Sequence, residues 1–69
     1  MKAIIIENGS ITHRSQELSD IHAVARWASV QGVIGHDIHS LENLVHYGKG
    51  DHLVTNEHSG EVATLRVVA

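Results

Sequence analysis

The dipeptide Asn8-Gly9 constrains this chain more than any other feature of its sequence. It joins two runs that are rich in β-branched residues, AIII before it and ITH after it. Both central positions of a type I′ turn need positive φ, which Asn and Gly adopt readily, so the pattern predicts a β-hairpin. With this turn, Ile6 pairs with Ile11 and Ile4 pairs with His13.

This pairing places three isoleucines on one face of the hairpin, because side chains alternate along a strand and directly paired residues share a face. We expect this face, formed by Ile4, Ile6 and Ile11, to be the core side. Ile5 falls on the opposite face with Ala3, Thr12 and Arg14.

A helix is predicted next, over residues 16–31. Ser15 is the expected N-cap, and Glu17 and Asp20 would lie near the positive end of the helix dipole. Gly32 fits the left-handed position after the helix, with Val33 as the apolar residue that follows it. An apolar stripe at helical spacing should lie across the sheet; it consists of Leu18, Ile21, Val24, Ala25 and Ala28.

A second apolar stripe at helical period, Ile38, Leu41, Leu44 and Val45, favours a short helix over 38–47. Asp37 could cap this helix and Gly48 could end it. A competing interpretation makes the segment from Val33 a strand, because Val33 and Ile34 are β-branched.

The last part of the chain predicts a second hairpin. Two alternating runs flank His58-Ser59-Gly60, and a two-residue loop at Ser59-Gly60 would close them. This loop places on one face Val54, Ala63, Leu65 and Val67. The whole pattern predicts a single α+β domain over 1–69, in the order ββα(α)ββ. Two hairpins form a mainly antiparallel sheet and one main helix packs on one face of it. The bracketed element is the short second helix, which is present only if 38–47 is helical.

Composition narrows the function classes. The chain has no Cys, so it offers no thiolate ligand and no thiol nucleophile. Its 5 Lys and Arg against 8 Asp and Glu argue against a nucleic-acid partner. With no membrane-spanning run and no signal-peptide pattern, we expect a cytoplasmic protein without cofactors. No nucleophile-elbow or phosphate-loop motif is present, and we expect no enzyme activity.

Histidine supplies one alternative function. If 38–47 is helical, three histidines share its polar face and could bind a metal ion: His36, His39 and His46. The HExxH pattern of zinc helices is absent. Protonation of the seven histidines would make the net charge positive, so a pH-responsive protein is part of the same alternative.

A DNA-binding regulator is the other alternative. The spacing of Ala28, Gly32, Val33, Ile38 and Leu41 resembles the helix-turn-helix of small phage repressors, and a hairpin after the helices is similar to the Cro type. The resemblance covers residues 24–44. It departs at Gln31, where that family has an apolar residue, and in a reading helix without Arg or Lys, the residues that usually contact bases and phosphates.

A binding surface is the preferred interpretation. Ala23, Trp27 and Val30 form a second apolar row on the first helix, about opposite the core stripe. Aromatic anchors are enriched in interface hot spots. Trp27 is therefore the expected anchor, with Arg26 and Gln31 as a polar rim, unless the chain itself covers Trp27.

These features predict a small non-enzymatic protein–protein interaction module that occupies a partner's surface, the partner being another protein or a second copy in a homodimer. In size and class alone it is similar to the regulators and inhibitors that phages and other mobile elements encode, anti-CRISPR inhibitors among them.

Overall fold

The structure is a computed structural model that describes residues 1–35 and 48–68. Its strands form one antiparallel sheet in the order β2-β1-β5-β4-β3. The predicted α+β class is confirmed, and so is the ββαββ order of the two hairpins and the main helix, to which the structure adds one short strand directly after the helix. The elements in chain order are β1 (Lys2–Glu7), β2 (Ser10–Arg14), α1 (Ile21–Val30), β3 (Val33–Gly35), β4 (Gly50–Asn56) and β5 (Val62–Val68).

The first hairpin turns at Asn8-Gly9, where both residues have positive φ, 51° and 77°. The Ile6–Ile11 pair is confirmed. The Ile4–His13 pair is wrong: Ile4 pairs with Arg14, because the register shifts between Ile5 and Ile6 and the pairing skips Thr12. The skipped residue forms a bulge, and its hydroxyl donates a hydrogen bond to the Ile5 carbonyl at 3.4 Å.

The predicted core side of this hairpin is also wrong. Ile5 is fully buried, whereas Ile4 and Ile6 are only half-buried and Ile11 is 43% exposed. Three consecutive isoleucines show no alternation, so the pattern of β1 alone does not distinguish its two faces. The neighbouring strand does: Ile5 pairs with Leu65 of β5, which is itself fully buried.

The helix α1 is shorter than predicted. It begins after Asp20, whose side chain accepts a hydrogen bond from the Ala23 amide at 2.9 Å. Ser15 is not the N-cap, because its hydroxyl oxygen accepts from the Ala3 amide at 2.8 Å. Backbone bonds from Ser15 to Ala3 and from Leu18 to Met1 hold this segment beside β1, so the helix begins only after it.

The predicted core stripe of α1 and the end of the helix are confirmed. Val24 and Ala28 are fully buried, and Ile21 and Ala25 pack against the core while partly buried; Leu18 does so too, although it precedes the helix. Gly32 has φ +84°, and Val33 after it is fully buried. The helix therefore covers the face of the sheet that carries Ile5.

Between α1 and β4 the competing strand interpretation is confirmed for Val33–Gly35, which pair with β4. The predicted helix over 38–47, and with it the cap at Asp37, lies outside the described residues.

The second hairpin has a longer loop than predicted. Asn56 donates its amide hydrogen to the Glu61 carbonyl at 2.8 Å, so the loop is residues 57–60. The Asn56 side-chain oxygen accepts from the amides of His58 and Ser59, which stabilises this loop. Val54 pairs with Ala63, a register shifted by two residues from that of the two-residue loop. An even shift keeps every side chain on its face, so the predicted inner face is confirmed.

Candidate functional site

The sheet has a second face, opposite α1, which we call the open face. Cross-strand pairing identifies its residues, because directly opposed side chains lie on the same side of a sheet. On β2, β1, β5 and β4 the open face consists of Ile11, Arg14, Lys2, Ile4, Ile6, Val62, Thr64, Arg66, Val68, Asp51, Leu53 and Thr55.

The part of the open face nearest the two hairpin turns is apolar. One row crosses four strands through Ile11, Ile6, Thr64 and Leu53, and Val62 lies beside it on β5. The described residues include five large apolar side chains that are exposed, and four of them lie on the open face: Ile11, Leu53, Val62 and Val68, each 43–50% exposed. Apolar side chains gathered on one exposed face are typical of an interaction site.

The opposite part of the open face is charged, with three cations, Lys2, Arg14 and Arg66, and one carboxylate, Asp51. Asp51 and Arg66 are direct cross-strand partners. The Arg66 Nε donates to Asp51 Oδ1 at 2.7 Å and Nη2 donates to Oδ2 at 3.1 Å, which is a bidentate ion pair.

This ion pair changes how both groups titrate. The hydrogen bond from Arg66, and then its charge, lower the pKa of the Asp51 carboxyl below its ordinary value. The same contact raises the pKa of the Arg66 guanidinium. Both side chains are about half exposed, so the pair orients two charges at the surface and adds little to stability.

The other described acids lie off the open face. Glu17 pairs with the α-amino group of Met1 at 2.6 Å, and this contact lowers the pKa of the Glu17 carboxyl. Glu7 accepts a hydrogen bond from the Asn56 side chain at 3.0 Å. The open face is thus a basic region on a chain whose net charge is −3.

The edge of the sheet at β2 is less suited to a partner than the face. An edge strand can pair with an added strand only if its backbone groups run in a regular row. In β2 the bulge at Thr12 interrupts that row, and the Thr12 hydroxyl also contacts the His13 ring at 3.0 Å. We therefore place the candidate site on the face of the sheet.

The apolar row predicted on the first helix, Ala23, Trp27 and Val30, does not lie where the sequence placed it. Trp27 is partly buried and packs against the core, so the row flanks the core stripe instead of lying opposite it. Val30 is 81% exposed and Arg26 is exposed, while Ala23 and Gln31 are half-buried. The structure therefore leaves Val30 and Arg26 as the exposed parts of the predicted site.

The predicted metal ligands His36, His39 and His46 lie outside the described residues. Across residues 1–35 and 48–68, no three His, Cys, Asp or Glu side chains are grouped so that they could hold a metal ion. The structure assigns two of the other histidines local contacts: His52 Nε2 lies 2.6 Å from the Gly48 carbonyl, and the His58 ring lies over Gly32.

The turn at Gly32 also differs from a helix-turn-helix. In that motif the turn leads into a second helix. Here it leads into β3, and the Gly32 carbonyl accepts a hydrogen bond from the Glu57 amide at 2.9 Å. The turn thus joins the helix to the sheet.

Sequence reasoning missed the open face because it assigned three of its isoleucines to the core. A signal was nevertheless present in the strands that follow. Leu53 and Val62 fall on the polar side of the second hairpin, opposite the face predicted to be buried. Apolar residues on both sides of two hairpins indicate more apolar surface than one helix can cover.

No protein-family model matches the chain, and neither a curated protein nor a solved structure matches it. The part of the chain that the structure describes contains no helix long and apolar enough to cross a bilayer.

Proposed function

We propose that this chain is a small non-enzymatic interaction module, a cytoplasmic regulator or inhibitor that acts by occupying the surface of a protein partner. The open face is its docking surface. The observation that carries the proposal is that four of the five exposed large apolar side chains in the described residues lie on this face, three of them (Ile11, Leu53 and Val62) in its apolar part.

Two features support docking on this face. Its apolar part adjoins a charged part, and protein interfaces likewise combine apolar contacts with polar and charged groups beside them. Its strands are held from behind by the core under α1, where Ile5, Leu65 and Val67 are buried. A partner would therefore meet a preorganised surface, which lowers the entropic cost of binding.

The helix row around Val30 is the rival surface, and one experiment separates the two. A photo-crosslinking amino acid is placed at Leu53 in one variant and at Val30 in another, and each is irradiated in an extract of the native host. We expect a discrete protein adduct from Leu53 that excess unlabelled chain competes away, and none from Val30.

An adduct from Val30 alone would move the docking surface to the helix row. If neither position gives a competed adduct, the proposal that the chain is an interaction module is wrong. The folded state of both variants is checked by circular dichroism, since both positions are exposed and should tolerate the change.

A further inference from the structure

We propose that the partner presents apolar side chains together with Asp or Glu carboxylates, so that the open face recognises an acidic, apolar protein segment. This inference rests on the proposed function and specifies its partner. The apolar row binds the hydrophobic side chains, and the cations beside it bind the carboxylates.

The open face carries more positive than negative charge. Three of the chain's 5 Lys and Arg lie on the open face, although the net charge of the chain is −3. Asp51 is the one carboxylate among the open-face residues, and it is already paired with Arg66. A partner carboxylate would therefore meet an excess of positive charge here.

Arg14 is the cation best placed to use that excess. It is exposed, it lies opposite Ile4, and its side chain makes no ion pair or hydrogen bond with any residue in the described ranges. A guanidinium can bind a carboxylate through two parallel hydrogen bonds. Lys2 lies at the margin of the face, where its charge helps to lower the pKa of the Glu17 carboxyl.

A second copy of the chain fits this face less well. Two open faces would bring like excess charges together, which disfavours association. Four strands spaced about 4.8 Å apart, each rising about 3.3 Å per residue, present a face of roughly 400 Å². Two such faces would bury about 800 Å² in total, less than the roughly 1,200 Å² of a stable dimer, whereas an interface of this size suits a transient complex with a short segment of another protein.

A nucleic acid also fits this face less well than an acidic protein. Single-stranded nucleic acids bind through bases stacked on aromatic rings, and none of the open-face residues is aromatic. Phosphate binding is supported by clusters of cations, whereas here half of the face is apolar. The combination of aliphatic side chains with a few cations matches an acidic, apolar peptide better.

The test is selection from a random peptide library displayed on phage, with the 69-residue chain as the immobilised target. We expect the selected peptides to be enriched in Asp and Glu together with large apolar residues. A synthetic peptide of the selected sequence is then titrated against matched pairs of variants: Leu53→Ser with Val30→Ser, and Arg14→Gln with Arg26→Gln. Within each pair, one substitution lies on the open face and the other on α1.

We expect Leu53→Ser to weaken peptide binding about tenfold, because it removes one of the large exposed apolar side chains of the row. Arg14→Gln should weaken binding roughly threefold to tenfold, because it removes a charge-assisted hydrogen bond. Both α1 variants should bind as the unmodified chain does. Raising the ionic strength from about 0.05 M to about 0.5 M should weaken binding, because salt screens exposed charges.

Several outcomes would overturn the inference. They are the absence of any selected peptide, selection without acidic enrichment, and binding that is insensitive to Arg14→Gln and to salt. Tighter binding of anionic vesicles or of a single-stranded oligonucleotide would assign the face to another class of ligand. A dimer at micromolar concentration in sedimentation that Leu53→Ser dissociates would assign it to a second copy. Binding of a synthetic peptide of residues 36–47 would assign it to the chain's own segment.

Failure of this inference is distinct from failure of the proposed function. If the partner binds the face in a manner that depends on Leu53 but on neither Arg14 nor salt, the interaction module stands and the acidic character of its partner is wrong. If neither the Leu53 nor the Val30 crosslinker gives a competed adduct, the proposed function itself fails.

Discussion

Replacing Ile5 with Ala tests which face of β1 is in the core. Ile5 has no exposed surface, so the substitution removes three methyl or methylene groups from a closed interior. At about 0.8 kcal/mol for each group, the transfer loss is about 2.4 kcal/mol, and the cavity left behind raises the expected loss to about 3–4 kcal/mol. This is a large share of the roughly 3–10 kcal/mol expected for a domain of 69 residues.

Ile6→Ala is the matched control, because it makes the same change one residue along the same strand. Ile6 is half-buried on the open face, so about half of the transfer loss applies and no closed cavity forms. We expect a loss of about 1 kcal/mol.

Urea unfolding followed by circular dichroism measures both losses. With a slope of about 1 kcal/mol per molar urea for so small a domain, the midpoints should fall by about 3 M for Ile5→Ala and about 1 M for Ile6→Ala. If Ile5→Ala does not fold, Ile5→Val should still cost about 0.5–1.5 kcal/mol. A loss for Ile6→Ala that equals or exceeds that for Ile5→Ala would refute the assignment of the open face.

Three further predictions concern single contacts. Asp20→Ala removes the acceptor of the Ala23 amide and should cost about 1 kcal/mol in urea unfolding; unchanged stability would mean that the helix does not begin there. Gly32→Ala should cost about 1–2 kcal/mol, because the residue has φ +84° and a Cβ would lie 3.3 Å from the His58 ring; a neutral or stabilising effect would contradict this turn. In NMR, Asp51 should titrate below an ordinary aspartate, and Arg66→Gln should raise the pKa of Asp51. Because folding lowers this pKa, the pairing contributes stability above the unfolded-state pKa, and that stability is lost as the pH falls through the folded-state pKa. Equal titration midpoints for Asp51 in the unmodified chain and in Arg66→Gln would contradict the ion pair.

Local sequence signals predicted most of the fold. The turn at Asn8-Gly9, the left-handed Gly32 and the stripe through Val24 and Ala28 each depend on a few neighbouring residues, and the structure confirms all three. The inner face of the second hairpin was also predictable, although its loop is longer, since a two-residue change of register preserves the faces.

The features that depend on distant contacts were not predictable. The start of α1 is delayed because Ser15 bonds to Ala3 across the hairpin, which no local propensity reveals. The choice of core face for β1 depends on Leu65, near the other end of the chain. The position of the candidate site depends on that choice. Because the sequence pattern indicated the wrong face of β1 as the core side, it did not predict the open face and instead predicted Trp27 as the anchor, although Trp27 packs against the core.

Methyl NMR of the isotope-labelled chain, bound to the protein captured from its host, shows whether the open face docks a protein partner. We expect the methyl signals of Ile6, Ile11, Leu53 and Val62 to shift or broaden on binding, while that of Val30 stays unchanged. Changes confined to Val30 and the alanines of α1, with the open-face methyl groups unaffected, would contradict docking on this face.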